Sequence, residues 1–522
     1  MSTKRVVVAE EIAPSSLEIL RNAGLQVDVV LNKSPRHLLD ALKGAHALVV
    51  RSETTVNASL INACPDLVVI ARAGVGLDNI DVEHATLRGV MVVNAPESNS
   101  VSAAELTMGL ILAVSRNIPQ AHKATISGAW ERSKWQGVEL SGKTLGILGL
   151  GRIGTLVATR AKAFDMTVVA YDPYVSKDYA DKIGVEVASL QDTIMRSDIL
   201  TIHLPKNKET LNLINKEMFK IAKSSLRIVN FARGGIVNEE DLHNALVSKE
   251  IAGAAADVFS KEPMLDSPLY KVDTMVVTPH IGALTQEAQT RAGDVVANMV
   301  VLSLRGEYVP YAVNAETSGY NEVLKPYIPV AQTLGRTFAS LYREPPSDLK
   351  VSIRGEIGAY APGLLTRSAL ASALSVWTGS TISVVNCLAQ AQIMNIALST
   401  AASVAPEHRG YVNMITLESK EHTLSLTLSD YPHGPYIVSI DGHSVSIPPA
   451  EHMLIVKNND KPGTIGKAAS ILGNYNINII NMDVSGTPDG TALMFIVTST
   501  KVPRNALLEI QAIKEVYDVI AS

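Results

Sequence analysis

The stretch from Lys143 to Asp172 constrains the fold of this chain more than any other. It opens with an apolar run at 145–148 that predicts a buried strand, and three glycines follow in the order G-x-G-x-x-G, namely Gly149, Gly151 and Gly154. A helix-compatible segment, TLVATRAKAF, comes next. Glycines at these positions permit a tight turn, close approach of the backbone to an anion, and close packing of helix on strand, while the helix N-terminus offers free N–H groups. The stretch therefore predicts the pyrophosphate-binding turn of a dinucleotide-binding fold.

The acid that ends this stretch indicates which dinucleotide is bound. A second strand is predicted for Met166 to Tyr171, and Asp172 follows it directly. An acid about 20 residues after the glycines is well placed to accept hydrogen bonds from the adenosine ribose. A 2′-phosphate on that ribose would meet the charge of the carboxylate, so we expect NAD rather than NADP.

Composition limits the classes of partner. The chain of 522 residues is too long for one core and suggests several domains. Its 46 basic and 51 acidic residues give a net charge of −5 without a long basic run, which argues against nucleic acid and membrane partners. Only Cys64 and Cys387 occur, so neither a disulfide framework nor a zinc site is indicated. With no signal core at the N-terminus and no apolar run of about 18 residues, we expect a cytoplasmic enzyme whose partners are small molecules and other subunits.

The first part of the chain predicts a separate lobe. Residues 4–95 alternate β-rich runs with helix-like segments, which is the pattern of parallel α/β units. Long helices are predicted from Val101 to Gly128 and from Thr285 to Arg305, and the chain is expected to return to the first lobe at Val309 to Asn314. The first lobe is therefore predicted to be discontinuous, with a ligand-binding cleft between it and the nucleotide domain.

The remaining segments predict three further units. From Gly142 to about Gly282, six strand-like runs alternate with helical segments, as in a Rossmann-type doubly wound parallel sheet. Residues 316–450 mix helical and strand patterns and predict an α+β domain. The last 70 or so residues follow the order β-α-β-β-α-β, which predicts a ferredoxin-like domain.

Three polar residues of the nucleotide domain follow strand-like runs, namely Arg233, Glu262 and His280. Oxidation of an alcohol needs a base for the hydroxyl proton, and an imidazole serves near neutral pH. A carboxylate on the other ring nitrogen fixes the tautomer, and an arginine can clamp a substrate carboxylate with two hydrogen bonds. Sequence spacing does not place these residues together, so a structural role for each stays open at this point.

Five motifs together resemble one family. RAGVGLDNID at 72–81, GLGRIG, NFARGGIV, DVFSKEP and TPHIGA are similar to motifs of the D-isomer-specific 2-hydroxyacid dehydrogenases, and the resemblance extends over essentially the whole chain. It implies that Arg233, Glu262 and His280 are catalytic, with His280 as proton acceptor during oxidation. It also implies NAD-dependent oxidation of 3-phospho-D-glycerate to 3-phosphohydroxypyruvate, the first step of the phosphorylated route to L-serine.

The resemblance also implies a set of binding residues. The residues implied for NAD are Val75, Gly149, Gly151, Arg152, Ile153, Gly154, Asp172, Leu204, Phe231, Ala232, Arg233, Asp257, His280, Gly282 and Ala283. The residues implied for the substrate are Arg51, Ser52, Gly76 and Asn99, with Arg132 and Lys134 reaching across a dimer interface.

The same resemblance implies four domains and a homo-oligomer, either a dimer or a tetramer. The four domains are a discontinuous flavodoxin-like substrate-binding domain at 1–98 and 285–315, a NAD-binding Rossmann domain at 99–284, an intervening regulatory domain at 316–450 and a C-terminal ACT domain at 451–522. ACT domains bind small amino acids between two copies. Asp460 and Asn478 are therefore expected to bind L-serine as an effector.

Two alternatives remain open on the sequence. The chain could oxidise another 2-hydroxy acid, such as glycerate or lactate, or it could be a non-enzymatic NAD-sensing protein similar to the corepressors that resemble this family. The cationic residues Arg51, Arg132 and Lys134 favour a phosphorylated substrate. The ACT-like C-terminus favours control by an amino acid.

Overall fold

The computed structural model of the chain describes residues 3–31, 34–315, 322–360, 362–405, 411–430, 433–486 and 490–522. Strands in these ranges form four sheets, and the first two of them are entirely parallel. The predicted α/β class is therefore confirmed. The predicted boundary between 315 and 316 adjoins residues outside the described ranges, and the domain boundaries as a whole stay predictions.

The first sheet has the flavodoxin-like strand order β2-β1-β3-β4-β5. Its strands are β1 (Arg5–Val8), β2 (Gln26–Val29), β3 (Ala47–Val50), β4 (Val69–Arg72) and β5 (Met91–Val93), and the helices between them are α1 (Pro14–Asn22), α2 (Pro35–Leu42), α3 (Ala58–Asn62) and α4 (Val82–Leu87). The strand order reverses between β1 and β3, where such sheets bind ligands beyond the carboxyl ends of the strands. The central strands are buried on both faces and are rich in valine because helices cover both sides.

Two helices follow the first sheet where the sequence predicts a single one. They are α5 (Ser100–Arg116) and α6 (Ile118–Ile126), which are bent by 64° at the break. Asn117 adopts the left-handed conformation there, with φ of 51°, and Pro119 stands in the first turn of α6 because proline is tolerated at a helix start and not in its interior. No single helix among the described residues is long and apolar enough to cross a membrane, although α5 and α6 pass that test of length and composition together.

The second sheet has the order β12-β11-β10-β9-β6-β7-β8, which is the doubly wound dinucleotide-binding order with one further strand. Its strands are β6 (Thr144–Leu148), β7 (Thr167–Tyr171), β8 (Glu186–Val187), β9 (Ile199–Ile202), β10 (Arg227–Asn230), β11 (Gly253–Ala256) and β12 (Met275–Val277). The helices are α7 (Arg152–Lys162), α8 (Lys177–Lys182), α9 (Leu190–Arg196), α10 (Lys216–Ile221) and α11 (Glu239–Val247). Six of the strands agree with the prediction, and the two-residue β8 was missed.

The chain then returns to the first lobe, as predicted. The helix α12 (Gln286–Arg305) packs against α1 and β4, with Val296 and Val300 fully buried in the core of the first sheet. The Val313 N–H donates a hydrogen bond to the Val92 carbonyl at 2.8 Å. The return is an isolated bridge between Val93 and Ala312 rather than a strand.

The third and fourth sheets form the C-terminal part. The mixed third sheet, in the order β14-β13-β15-β16-β17-β18, contains β13 (Asp348–Gly355), β14 (Ala397–Ser403), β15 (Asn413–Glu418), β16 (Thr423–Asp430), β17 (His433–Ile440) and β18 (His443–Ile447), with α13 (Tyr327–Leu341), α14 (Gly363–Thr378) and α15 (Cys387–Ile393). The fourth sheet contains β19 (Met453–Asn458), β20 (Ile479–Gly486), β21 (Ala492–Thr498) and β22 (Val516–Ala521), with α16 (Thr464–Asn474) and α17 (Arg504–Gln511). Its antiparallel order β20-β21-β19-β22 confirms the predicted ferredoxin-like domain.

The central strands of the fourth sheet, β19 and β21, are buried on both faces. Leu454 and Met494 face its own helices, whereas Ile455 and Phe495 belong to the hydrophobic core of the third sheet. A buried ion pair also joins the two units, because Lys457 donates to the Asp441 carboxylate at 2.7 Å and the Asp441 side chain is only 12% exposed. The third and fourth sheets therefore share one continuous core.

The glycine turn after β6 has the predicted geometry. A Cβ on Gly149, whose φ is 96°, would lie 2.8 Å from the His203 carbonyl oxygen, and a Cβ on Gly154 would lie 2.1 Å from the Gly149 carbonyl oxygen. A Cβ on Gly151 would meet no atom within 4 Å. Packing thus requires glycine at 149 and 154, while Gly151 borders open space at the N-terminus of α7, where a pyrophosphate fits.

This difference gives a matched pair of variants. We expect Gly151→Ala to keep the thermal unfolding temperature of the wild type while it weakens NADH binding by at least about tenfold, because the methyl group occupies only ligand space. We expect Gly154→Ala to lower the unfolding temperature, because the turn and α7 must separate. Differential scanning fluorimetry and NADH fluorescence titration measure the two effects. A Gly151→Ala protein with unchanged NADH affinity would contradict the assignment.

Candidate active site

A cleft of about 780 Å³ lies between the first and second sheets. Loops from the carboxyl ends of both sheets line it, as expected for parallel sheets. The structure brings ten predicted residues to this cleft, namely Arg51, Ser52, Val75, Gly76, Asn99, Ile153, Arg233, Glu262, His280 and Ala283. Residues far apart in sequence thus form one pocket, as the predictions for the substrate and nicotinamide require.

His280 and Glu262 form a close pair in this cleft. The His280 Nδ1 and the Glu262 Oε2 are 2.6 Å apart, which leaves Nε2 of the imidazole available for a substrate hydroxyl. The hydrogen bond with Glu262 raises the pKa of His280, against the effect of burial. Burial acts to raise the pKa of Glu262, but the hydrogen bonds from His280 and from the Phe259 N–H outweigh it, so that its pKa is lowered. Glu262 therefore stabilises the protonated form of His280, which is the form that results when the imidazole accepts a proton.

A buried carboxylate fixes the segment that carries His280. Asp257 is 1% exposed and accepts hydrogen bonds from the Thr278 hydroxyl at 2.5 Å, from the Ile281 N–H at 2.9 Å and from the Gly282 N–H at 3.0 Å. Burial raises the pKa of Asp257, and these three donors oppose the rise. His280 itself has a φ of 55°, a left-handed conformation that such anchoring can sustain. Binding of the nicotinamide by Asp257 stays a prediction.

Arg233 enters the cleft from the loop after β10. Its guanidinium donates to the Ala232 carbonyl at 2.8 Å, and its Nε lies 3.8 Å from the Asp78 carboxylate. A Cβ on Gly76 would lie 2.8 Å from both the Arg233 guanidinium and the Asp78 carboxylate. Glycine at 76 therefore permits the arginine to approach the loop of the opposite lobe.

Many of the residues that line the cleft were not predicted as site residues, and two charged ones among them belong to a motif of the sequence analysis. Arg72 and Asp78 both line it, and both belong to the RAGVGLDNID motif. The Arg72 Nε donates to the Arg51 carbonyl at 3.2 Å and to the Asn79 side-chain oxygen at 2.8 Å. A cation that directly ends a parallel strand is the sequence signal that could have identified Arg72, since such positions face the ligand crevice.

The positive end of α5 adds to this electrostatic environment. Ser98 and Asn99 line the cleft, and Asn99 is the N-terminal cap residue of this 17-residue helix. Free N–H groups and the helix dipole favour an anion at that position. Arg51, Arg72, Arg233 and the helix end give the cleft several positive groups that suit an acidic substrate, while Glu53, Asp78 and Glu262 also line it.

The remaining residues predicted for NAD lie along the second sheet. Asp172 follows β7, and its carboxylate accepts hydrogen bonds from the Leu150 N–H at 2.8 Å and the Tyr174 N–H at 2.9 Å, so it also fixes the glycine turn. Arg152 begins α7 and pairs with Glu97 at 2.6 Å. Buried residues at the carboxyl edge or against it complete the set, namely Leu204, Phe231, Ala232 and Gly282.

Arg132 and Lys134 do not line the cleft. They lie in a short 3-10 helix at 132–135, and Lys134 stands 4.9 Å from the centre of the Trp135 ring. Exposed apolar side chains precede this helix, including Ile126 at 72% exposure and Trp130 at 80%. One chain alone therefore does not bring these two cations to the substrate cleft.

Asp460 and Asn478 are also not brought together within one chain. Gly486, at the end of β20, lies beside the Asp460 carboxylate, since a Cβ there would be 3.2 Å from its oxygen. Asn478 directly precedes β20, whose eight residues span about 23 Å. The side chains of Asp460 and Asn478 are both exposed. The neighbouring Asn458 is buried, and its side-chain oxygen accepts a hydrogen bond from the Asp460 N–H at 3.0 Å.

Comparison with known families divides the chain into recognised domains. Residues 108–282 match the D-isomer specific 2-hydroxyacid dehydrogenase, NAD binding domain. Residues 323–430 match the D-3-phosphoglycerate dehydrogenase intervening domain, and residues 452–515 match the ACT domain. The NAD-binding prediction and the ACT prediction are therefore confirmed.

Relatives that match over nearly the full length of the chain are D-3-phosphoglycerate dehydrogenases. The chain is 39% identical over 519 residues to D-3-phosphoglycerate dehydrogenase of Methanocaldococcus jannaschii, with 99% of each chain covered. It is 41% identical over 523 residues to D-3-phosphoglycerate dehydrogenase of Mycobacterium tuberculosis, with 99% of this chain and 98% of the relative covered. Among solved structures, NAD-dependent formate dehydrogenase from Staphylococcus aureus in complex with NAD is 30% identical, with a TM-score of 0.52 over 59% of this chain and 97% of that one.

These matches cover the cleft, the nucleotide domain and both C-terminal domains. The match to the NAD-binding domain and the full-length D-3-phosphoglycerate dehydrogenase relatives show that the chain is an NAD-dependent oxidoreductase. The chain belongs to the D-isomer-specific 2-hydroxyacid dehydrogenase family, within the group of D-3-phosphoglycerate dehydrogenases that carry an intervening domain and an ACT domain.

Proposed function

We propose that the chain oxidises 3-phospho-D-glycerate to 3-phosphohydroxypyruvate, the first step of the phosphorylated route to L-serine. The observation that carries the proposal is the cleft itself, which contains the His280–Glu262 pair together with Arg51, Arg72 and Arg233. A substrate with one carboxylate and one phosphate needs cations at two places as well as a base. The near full-length similarity to D-3-phosphoglycerate dehydrogenases supports the same substrate.

The chemistry of the protein residues follows from the geometry. The Arg233 guanidinium clamps the substrate carboxylate and stabilises the carbonyl that forms at the neighbouring carbon. Neutral His280 accepts the hydroxyl proton at Nε2, and Glu262 stabilises the resulting imidazolium through Nδ1. NAD, which the glycine turn at 149–154 and Asp172 would hold, would supply the acceptor for the hydride that leaves the same carbon. In the reverse direction protonated His280 returns the proton to the oxygen.

The phosphate is bound at the other end of the cleft. Arg51 and Ser52 follow β3, Asn99 stands at the N-terminus of α5, and all three residues line the cleft. A phosphate dianion favours such a combination of charge and fixed donors. Glycerate and lactate lack the group that this region binds, which disfavours them as the main substrates.

A dimer would complete this region. Arg132 and Lys134 extend from a surface that exposes Ile126 and Trp130, and exposed apolar surface of this kind is typical of subunit contacts. In the proposed homo-oligomer, these two cations reach the substrate cleft of the neighbouring subunit.

A reducing compartment such as the cytoplasm suits the two free, buried thiols Cys64 and Cys387.

The proposed effector site also needs two chains. Asp460 lies near one end of β20 and Asn478 adjoins the other, so antiparallel association of two ACT domains would bring Asp460 of one copy to Asn478 of its partner. A carboxylate and an amide together bind the ammonium and carboxylate groups of an amino acid. We propose L-serine as this effector, since it is the product of the route that the enzyme would begin.

A substrate comparison tests the proposed reaction. We expect kcat/KM for 3-phospho-D-glycerate to exceed that for D-glycerate and D-lactate by at least about 10²-fold, because the unphosphorylated acids leave the phosphate-binding groups unpaired. NADH formation at alkaline pH, with the keto product trapped, measures it. Equal or faster oxidation of an unphosphorylated acid would overturn the substrate assignment.

His280→Asn tests the proposed base. We expect it to lower kcat by about 10²–10⁴-fold and to retain NADH binding, whereas the control variant His243→Asn should keep the kcat of the wild type.

The pH dependence of oxidation reports the His280–Glu262 pair. Oxidation needs neutral His280, and the hydrogen bond with Glu262 raises the pKa of that imidazole, so the wild-type kcat/KM should rise with pH through a pKa above that of a free imidazole. Glu262→Gln removes the charge that favours the imidazolium. We therefore expect the acid limb of the profile to move to lower pH and the plateau to fall by at least about 10²-fold. Glu250→Gln, at an exposed acid, should leave the profile in place, and an unmoved limb in Glu262→Gln would contradict the assignment.

Inhibition by L-serine tests the effector site. We expect millimolar L-serine to lower the rate of the wild type, and Asp460→Ala or Asn478→Ala to weaken that inhibition by at least about tenfold, since each removes one set of polar contacts to the ligand. The uninhibited rate should not change. Glu451→Gln removes an exposed acid at the start of the same domain and should retain inhibition. Full inhibition of the Asp460→Ala enzyme would show that the effector binds elsewhere.

A further inference from the structure

Glu10 makes an unusual set of contacts at the switch point of the first sheet. It stands two residues after the end of β1, beside β3. Its Oε1 accepts hydrogen bonds from the Arg51 N–H at 2.8 Å and the Thr54 N–H at 2.9 Å, and its Oε2 accepts the Glu53 N–H at 3.2 Å. One carboxylate thus holds three of the four backbone N–H groups in the loop 51–54.

The opposite side of the same loop is held by Asn79. Its side-chain amide donates to the Arg51 carbonyl at 2.9 Å and to the Thr54 carbonyl at 2.6 Å. Asn79 is itself held by the Arg72 Nε at 2.8 Å. The loop is therefore fixed between an acceptor from β1 and a donor from the RAGVGLDNID segment.

The hydrogen bonds of Glu10 and Asn79 leave one backbone N–H of loop 51–54 without an acceptor among the described residues. In the part of the chain that the structure describes, the Ser52 N–H makes no hydrogen bond to another residue. Ser52 and Arg51 both line the substrate cleft, and the Arg51 guanidinium donates a long hydrogen bond to the Glu11 carbonyl at 3.4 Å. A free N–H, a hydroxyl and a guanidinium on one short loop form an arrangement that suits a phosphate group.

We propose that Glu10 is a positioning residue for recognition of the substrate phosphate: it presents the Arg51 side chain and the free Ser52 N–H to the phosphate by holding the backbone of loop 51–54. This inference rests on the proposed substrate. A carboxylate accepts stronger hydrogen bonds than a neutral oxygen does. A carboxylate near a phosphate site also repels the phosphate, so its presence there needs a compensating role. Glu10 contributes by committing both oxygens to backbone N–H groups of the loop.

A positioning role predicts a specific kinetic pattern. Glu10→Gln replaces one acceptor oxygen by an NH₂ group that faces a backbone donor, so the loop must shift. We expect KM for 3-phospho-D-glycerate to rise by about 10-fold to 100-fold, with kcat and the KM for NAD within about twofold of the wild type. The preference for 3-phospho-D-glycerate over D-glycerate should shrink by the same factor, because only the phosphorylated acid uses the loop.

Glu11→Gln is the matched control, since Glu11 is the adjacent exposed acid and its carboxylate makes no hydrogen bond or ion pair among the described residues. It removes the same charge from the same neighbourhood, and its backbone carbonyl, which faces Arg51, is unchanged. We expect both KM values to stay at wild-type levels. A rise of KM in Glu11→Gln equal to that in Glu10→Gln would mean that net charge, not positioning, sets the effect.

A second variant separates positioning from general destabilisation. Asn79→Ser withdraws the donors on the other side of the loop and should raise KM for 3-phospho-D-glycerate in the same way, while NADH binding in the other lobe is retained. An unchanged KM in both Glu10→Gln and Asn79→Ser, or a parallel loss of NADH affinity and kcat, would overturn the inference. If the wild type itself does not oxidise 3-phospho-D-glycerate, the proposed function fails instead.

Discussion

The buried carboxylate of Asp257 is the interaction on which the catalytic end of the cleft depends. By accepting hydrogen bonds from Thr278, Ile281 and Gly282, it holds the segment in which His280 adopts a left-handed backbone, a conformation that costs about 1–3 kcal/mol unless its surroundings impose it. Glu10 does the same for the loop of the opposite lobe. Each wall of the cleft is thus ordered by a carboxylate beyond the end of a parallel strand.

The sequence predicted the parts of the fold that leave a local pattern. The glycine turn, the βα repeats and the ferredoxin-like order follow from apolar runs and turn residues, and the motifs led to Arg233, Glu262 and His280. The exposed, two-residue edge strand β8 was missed, because it lacks the buried apolar run that identifies a central strand. Asn117 was missed as a helix break because its effect depends on backbone geometry.

Residues that act through the backbone were the hardest to predict. Glu10 and Asn79 bind main-chain groups of a loop about 25 to 45 residues away, and such contacts impose no periodicity on the sequence. Arg72 was hidden within a motif that was used only for family resemblance. The separation of Asp460 from Asn478 likewise depends on the direction of β20, which the composition of that strand does not indicate.

The shared core of the third and fourth sheets bears on how regulation can be removed. A chain that ended before β19 would expose the apolar face formed with Ile455 and Phe495, and it would leave Asp441 without its lysine partner in a nearly buried site. Deletion of the ACT domain would therefore combine loss of the proposed effector site with loss of part of a hydrophobic core. In this architecture the ACT domain is not a detachable module, and substitutions on its surface are the way to test its role without disturbing the fold.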